Sequence, residues 1–148
     1  MDLLGLPLGP VTLVVGTDDD ALDAAVEAAV GRRPFRGNYG VAKRENPHTL
    51  DLWVRLNGRG NALGIADLGD SLHPAQHKAL VARLRACGVP VVATTHSPYL
   101  ADHFTADEVI VLTTGGARRL SDHPDARLRE SLSTGELLVS SGPGWWWP

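Results

Sequence analysis

The sequence predicts an α/β domain of layered architecture built on a mostly parallel sheet. Two features of the pattern and one of size lead there. Short apolar, β-branched runs at Val11–Val15, 62–66, 89–95 and 108–112 have the continuous hydrophobic character of strands buried on both faces. Segments of helical period separate them, and strands that alternate with helices form parallel βαβ units. A chain of 148 residues suits one domain. The domain is therefore expected to span 1–148, with a flexible tail over 140–148.

In chain order, Val11–Val15 ends at Gly16 and reads as the first buried strand. Asp18, Asp19 and Asp20 then offer an N-cap and first-turn carboxylates to a helix. Its apolar face is Ala21, Leu22, Ala25, Val26 and Ala29, and Gly31 closes it. From Arg32 to His48 the chain carries Pro34, Gly37, Gly40 and Pro47 without a clear period, which predicts mostly loop. Alternation in Leu50-Asp51-Leu52-Trp53-Val54-Arg55-Leu56 predicts a strand. Asn57-Gly58-Arg59-Gly60-Asn61 reads as a turn, and 62–66 as another buried strand. Ala75, Leu80, Val81 and Leu84 mark an amphipathic helix over 74–86 that stops at Gly88. A strand at 89–95, a short helix at 98–104, a strand at 108–112 and a Gly115-Gly116 turn follow.

Composition narrows the function. A formal charge of -3 argues against bulk attraction to nucleic acid or anionic membrane. Cys87 is the one cysteine, so no intrachain disulfide can form and a reducing compartment is expected, with Cys87 inert. The first residues lack the basic n-region of a signal peptide, and no apolar run nears the roughly 18 residues that cross a bilayer. The expectation is a cytoplasmic protein without a membrane partner.

Four segments then fall in an informative order. The strand at 62–66 runs into Asp67-Leu68-Gly69-Asp70, and Leu72-His73-Pro74 opens the next helix. The strand at 89–95 delivers Thr94-Thr95-His96-Ser97-Pro98-Tyr99-Leu100, and Glu108-Val109-Ile110-Val111-Leu112 comes after it. This order resembles the C-terminal half of ABC-type P-loop ATPases, in particular the stand-alone bacterial AAA-labelled ATPases and the ATPase domains of overcoming-lysogenization-defect nucleases. In that group the first strand ends in an acidic pair (Walker B), and the next ends in Thr-His-Ser-Pro with the switch histidine. Ser133-Thr134-Gly135-Glu136-Leu137 is similar to the family's C-terminal segment. The resemblance implies a three-layer P-loop NTPase-like fold. It also implies that Asp67 is the magnesium-binding acid and that His96 contacts the γ-phosphate and the attacking water.

The chain departs from that family where ATP is handled. A phosphate loop needs backbone N–H groups, a lysine and a hydroxyl for magnesium. At its position stands Gly16-Thr17-Asp18-Asp19-Asp20-Ala21, leaving Gly16 and Thr17 as the remnant of a cofactor-binding loop. Carboxylates facing a triphosphate in a partly desolvated site cost on the order of several kcal/mol; capping a helix explains them better. The acid pair is incomplete. Counting back from Leu72-His73-Pro74 puts Ala66 first and Asp67 second, whereas counting from the strand puts Asp67 first and Leu68 second. Asp70, in the turn, is the one nearby acid that could stand in for the missing member. About fifty residues separate Gly16 from Asp67, so the family's helical arm is deleted. Leu56-Asn57-Gly58-Arg59-Gly60 is only faintly similar to the signature segment. His96 then has a second explanation: Thr95, His96 and Ser97 cap the following helix and satisfy buried polar groups.

Three other constellations stand out. His73 and His77 share a helix-start spacing that suits zinc, with Asp70 or His96 as third ligand, although the alternative is a solvated His77. Arg32, Arg33, Arg36, Lys43 and Arg44, interleaved with Phe35 and Tyr39, are a nucleic-acid candidate or a solvated loop. Trp145, Trp146 and Trp147 form either a partner-seeking tail or one that folds back onto the domain. The expected function is a pseudo-ATPase domain, non-hydrolysing and without cofactor, that regulates or completes another protein. The alternatives are a minimal ATPase using Asp67 and His96 with a borrowed phosphate loop, and a nucleic-acid-binding accessory of a DNA-processing or phage-defence system.

Overall fold

The structure, a computed structural model, describes residues 2–36, 48–58, 60–70, 72–113 and 115–141. Its elements are β1 (Asp2–Leu3), β2 (Leu6–Pro7), β3 (Val11–Val15), α1 (Asp19–Val30), β4 (Phe35–Arg36), α2 (His48–Asn57), β5 (Leu63–Ala66), α3 (His77–Ala86), β6 (Val91–Thr94), α4 (Pro98–Ala101), β7 (Val109–Thr113), β8 (Gly116–Arg119), α5 (Ala126–Ser131) and α6 (Thr134–Ser141). A six-stranded sheet runs in the order β4-β5-β6-β3-β7-β8, and β1 and β2 form a separate antiparallel pair. Every pairing in the large sheet is parallel except β7 with β8.

The apolar strands supply both faces of this sheet because side chains alternate along a strand. In β3, Val11, Leu13 and Val15 join the core shared with α2, α3, α4 and α6, while Val14 joins Leu22 and Val26 of α1. β6 divides in the same way, Val91 and Ala93 to one side and Val92 to the other; in β7 Val109 and Val111 oppose Ile110. Helices on both faces give a layered α/β architecture. Among the described residues, no helix is long and apolar enough to cross a membrane.

The caps of α1 follow the sequence. Asp18 Oδ1 accepts from the Ala21 N–H at 3.2 Å, and Gly31 takes φ 81° while its N–H donates to Glu27 O at 2.8 Å. α1 also presses hard on the sheet: a Cβ at Gly64 would lie 2.9 Å from Val26 Cγ1.

Several expectations need correction. Residues 50–56 are helical, not a strand: Leu50 and Trp53 are buried three apart, Asn57 is buried four further on, and Leu52 and Leu56 face solvent. The alternating sequence satisfied a period of two, but the buried set follows the helical one. The loop expected from Arg32 contains β4 at its start, a two-residue strand held by its pairing with β5. The helix expected over 74–86 opens as a 3₁₀ turn at Pro74–Gln76, and Ala75 is exposed. Helix continues through Ser141, so 140 and 141 belong to α6 rather than to a tail. Trp145, Trp146 and Trp147 lie outside the described residues, as do Lys43 and Arg44.

α6 packs directly on α4. The Gly135 N–H donates to Asp102 Oδ1 at 2.6 Å and the Thr134 hydroxyl donates to Phe104 O at 2.7 Å. A Cβ at Gly135 would stand 2.2 Å from Pro98 O, so only glycine permits this approach.

Candidate functional site

Strand order builds the site. β6 lies between β3 and β5 and pairs with both. The segments leaving the C-terminal ends of these three strands therefore emerge side by side, the edge at which open α/β sheets hold ligands. β3 leads to Gly16 and the acidic start of α1, β5 to Asp67, and β6 to His96.

Asp67 turns the chain away from β5 with φ 57°, a left-handed conformation uncommon outside glycine and best tolerated by Asp and Asn. Its N–H donates to Thr94 Oγ1 at 3.0 Å, and the Leu68 N–H donates to Thr94 O at 2.7 Å. The turn is thereby tied to the end of β6. A second tie is Thr95, whose hydroxyl lies 2.8 Å from Leu68 O and 2.9 Å from Asp70 Oδ1 while its oxygen accepts from the Ser97 N–H. Asp70 Oδ1 also accepts from the His96 N–H at 3.1 Å. Ser97 caps α4, its Oγ accepting from the Leu100 N–H.

On this frame the ionisable side chains pair with one another. His96 Nε2 is 2.7 Å from Asp19 Oδ1 and 3.8 Å from Asp67 Oδ1. Arg36, on β4, forks across two carboxylates: Nη2 reaches Asp23 Oδ2 at 2.6 Å and Nη1 reaches Asp67 Oδ2 at 2.7 Å. The hydrogen bond to Asp23 and then that to Asp67 raise the Arg36 pKa above its ordinary value, fixing its charge. Asp67, Asp70 and His96 bring ligand-type atoms within 4.8 Å of one another, and they are the one such trio among the described residues.

The turn after β3 offers carboxylates and no lysine; Asp18 is committed to capping α1 and Asp19 to His96. Gly16 is backed by the β7 strand, since a Cβ there would meet Leu112 O at 3.0 Å, and Thr17 is exposed. Asp67 is already paired with Arg36, which it shares with Asp23.

The remaining sequence candidates fall elsewhere. Neither His73 nor His77 belongs to the trio of ligand-type groups found among the described residues. His73 is exposed, with Nδ1 accepting from the Ala75 N–H. His77 is buried rather than solvated, its Nε2 3.3 Å from Gly69 O. Burial pushes the His77 pKa down, with nearby His103 and His73 adding to the effect. In the basic segment, Arg32 donates to Asn57 O at 2.8 Å, Arg36 is engaged as above, and Arg33 is exposed. Cys87 is half-buried, its thiol against Val89 O. Sequence reasoning missed Asp23 and the pairing of Arg36 and Asp19 with this edge. The available signal was an arginine placed after an acidic helix, but only the fold shows which carboxylates it meets.

The class defined by these observations is a layered α/β protein whose sheet edge carries a cluster of internally paired charges. Comparison with known proteins gives no match to a family model, a curated protein or a solved structure.

Proposed function

We propose that this chain is a degenerate P-loop-type domain that neither binds nor hydrolyses ATP on its own and acts through protein contacts, as a regulator or partner subunit. One observation carries the reading. The groups that would meet a nucleotide in the resembled ATPases are met here by the protein itself: Asp19 lies against His96, where phosphate is expected, and Arg36 lies against Asp67, where a cation is expected. Strand order supports it, because β6 inserted between β3 and β5 juxtaposes the three segments the resemblance rests on. An incoming phosphate would have to displace Asp19 and then face Asp18, Asp20 and Asp23.

A second reading is a minimal nucleotide-binding protein that receives a phosphate loop from another chain. The trio of Asp67, Asp70 and His96 favours it, since two carboxylates and an imidazole at that spacing suit a divalent cation. The engagement of Arg32 and Arg36 within the domain lends no support to nucleic-acid binding.

Calorimetric titration of the purified chain with ATP and Mg²⁺ separates these readings. The proposal expects no heat of binding up to millimolar nucleotide. Micromolar binding that disappears in a His96→Ala, Asp67→Ala double variant would overturn it in favour of the second reading.

A further inference from the structure

His77 opens α3 and touches the turn that carries Asp67 and Asp70. The residue is 1% exposed. Its Nε2 lies 3.3 Å from the Gly69 carbonyl, which can only accept, so the neutral ring carries its proton on Nε2. Nδ1 is buried and has no hydrogen-bond partner among the described residues. Gly69 stands inside the turn with φ 72°, and its carbonyl also accepts from the Leu72 N–H at 3.0 Å. A Cβ at Gly69 would meet Leu100 Cδ2 at 3.1 Å and His77 Nε2 at 3.5 Å, so both side chains close on this one residue.

A second proton on the ring would sit at Nδ1, a buried donor with nothing to bond. The titratable groups facing the ring are His103 from the segment after α4, Asp70 from the turn and His73 from ahead of α3. His103 meets it edge-on, with ring centroids 6.4 Å apart. Two of the three are imidazoles, which add only positive charge. The third, Asp70, already has Oδ1 engaged by the Thr95 hydroxyl and the His96 N–H. A charged His77 is therefore incompatible with its place in the packing.

We propose that His77 is an acid-sensitive latch on the turn at 67–70. Neutral, it holds the Gly69 carbonyl and with it the positions of Asp67 and Asp70. Protonated, it leaves its place, and the turn opens while the sheet stays paired. Acid thereby disperses the paired groups at the sheet edge. His96, the other imidazole at this turn, has the opposite tendency, because a proton on it strengthens its contacts with Asp19 and Asp67. The inference goes beyond the proposed function and holds whichever ligand or partner that edge meets.

The test is nitrogen-15 NMR of the full chain between about pH 7.5 and 5, the range in which imidazoles titrate. Ring spectra report the tautomer of His77, and amide exchange reports protection at Leu68, Asp70 and Leu72, whose N–H groups are bonded within or next to the turn. The expected result is an Nε2–H ring at neutral pH. Protection at the three amides should then fall about tenfold per pH unit below the His77 midpoint, because one proton is linked to opening, while the paired amides of β3 and β6 keep theirs. His77→Gln, whose amide can donate to Gly69 without titrating, should abolish the fall. His103→Gln removes a facing imidazole and should move the fall to higher pH; it carries the test if His77→Gln does not fold. Constant protection across the range, an Nδ1–H ring, a fall that persists in folded His77→Gln, or a midpoint that His103→Gln leaves in place would each overturn the latch. Protection lost in β3 and β6 at the same pH would mean that acid unfolds the whole domain, and would overturn it as well.

Discussion

Replacing Arg36 by methionine removes the guanidinium that joins Asp23 to Asp67 while keeping most of its apolar stem. The two contacts are short, 2.6 and 2.7 Å, but the arginine side chain is 52% exposed and each carboxylate 32%. Exposed pairs of this kind contribute about 0.2–1 kcal/mol each. Two that share one cation, with Asp70 and Asp19 close by, come to about 1 kcal/mol. In a chain of this size that is a fall of roughly 2–4 °C in melting temperature. The assay is thermal unfolding of wild type and Arg36→Met at low and high salt. The gap should be full at low ionic strength and shrink in about 1 M salt, where the Debye length drops to ~3 Å. Arg36→Lys should fall between the two, because an ammonium cannot fork across both carboxylates as a planar guanidinium does. Equal melting temperatures at low salt would refute the bridge. A loss of several kcal/mol that ignores salt would mean that Arg36 acts by packing rather than by charge.

Asp67 gives a backbone counterpart. Asp67→Val should destabilise by about 1–2 kcal/mol through its left-handed φ, beyond the loss of the ion pair that Asp67→Asn also suffers; chemical denaturation of both variants separates the two parts. Gly135→Ala should cost roughly 1–3 kcal/mol or more by forcing α6 away from Pro98 and Asp102, read from urea midpoints; an unchanged midpoint would contradict the close packing described here. Stability should also rise with pH between about 5 and 7. Burial lowers the native pKa of His77 and His123 below the ordinary 6.5, so the unfolded chain binds more protons as pH falls through that window. The contribution is complete above 6.5 and is lost as pH drops through the depressed values. Denaturation midpoints that stay flat from pH 7 to 5 would contradict the assignment of neutral, buried imidazoles.

Much of the architecture was legible because local chemistry and tertiary environment agreed. Val11–Val15 and Val91–Thr94 are apolar at every pleat or nearly so, which only a strand covered on both sides can satisfy. Asp18 and Gly31 mark the ends of α1 through bonds that reach no further than a helical turn. Residues 50–56 were misread because leucines at 50, 52 and 56 fit two periods, and which leucines are covered depends on the sheet beneath them. β4 exists through its pairing with β5, a contact between residues about thirty apart that no local pattern encodes.

The charged edge divides in the same way. The sequence by itself determined that Asp67 and His96 follow apolar strands and that an acidic turn follows the first buried strand, because those properties are written in short, contiguous segments. Only the tertiary structure decided that β6 inserts between β3 and β5, that Asp19 meets His96, that Arg36 bridges Asp23 and Asp67, and that His77 is buried. Strand order and long-range ion pairs arise from the packing of helices on both faces of one sheet, a global optimum over distant residues. No window of the sequence contains it.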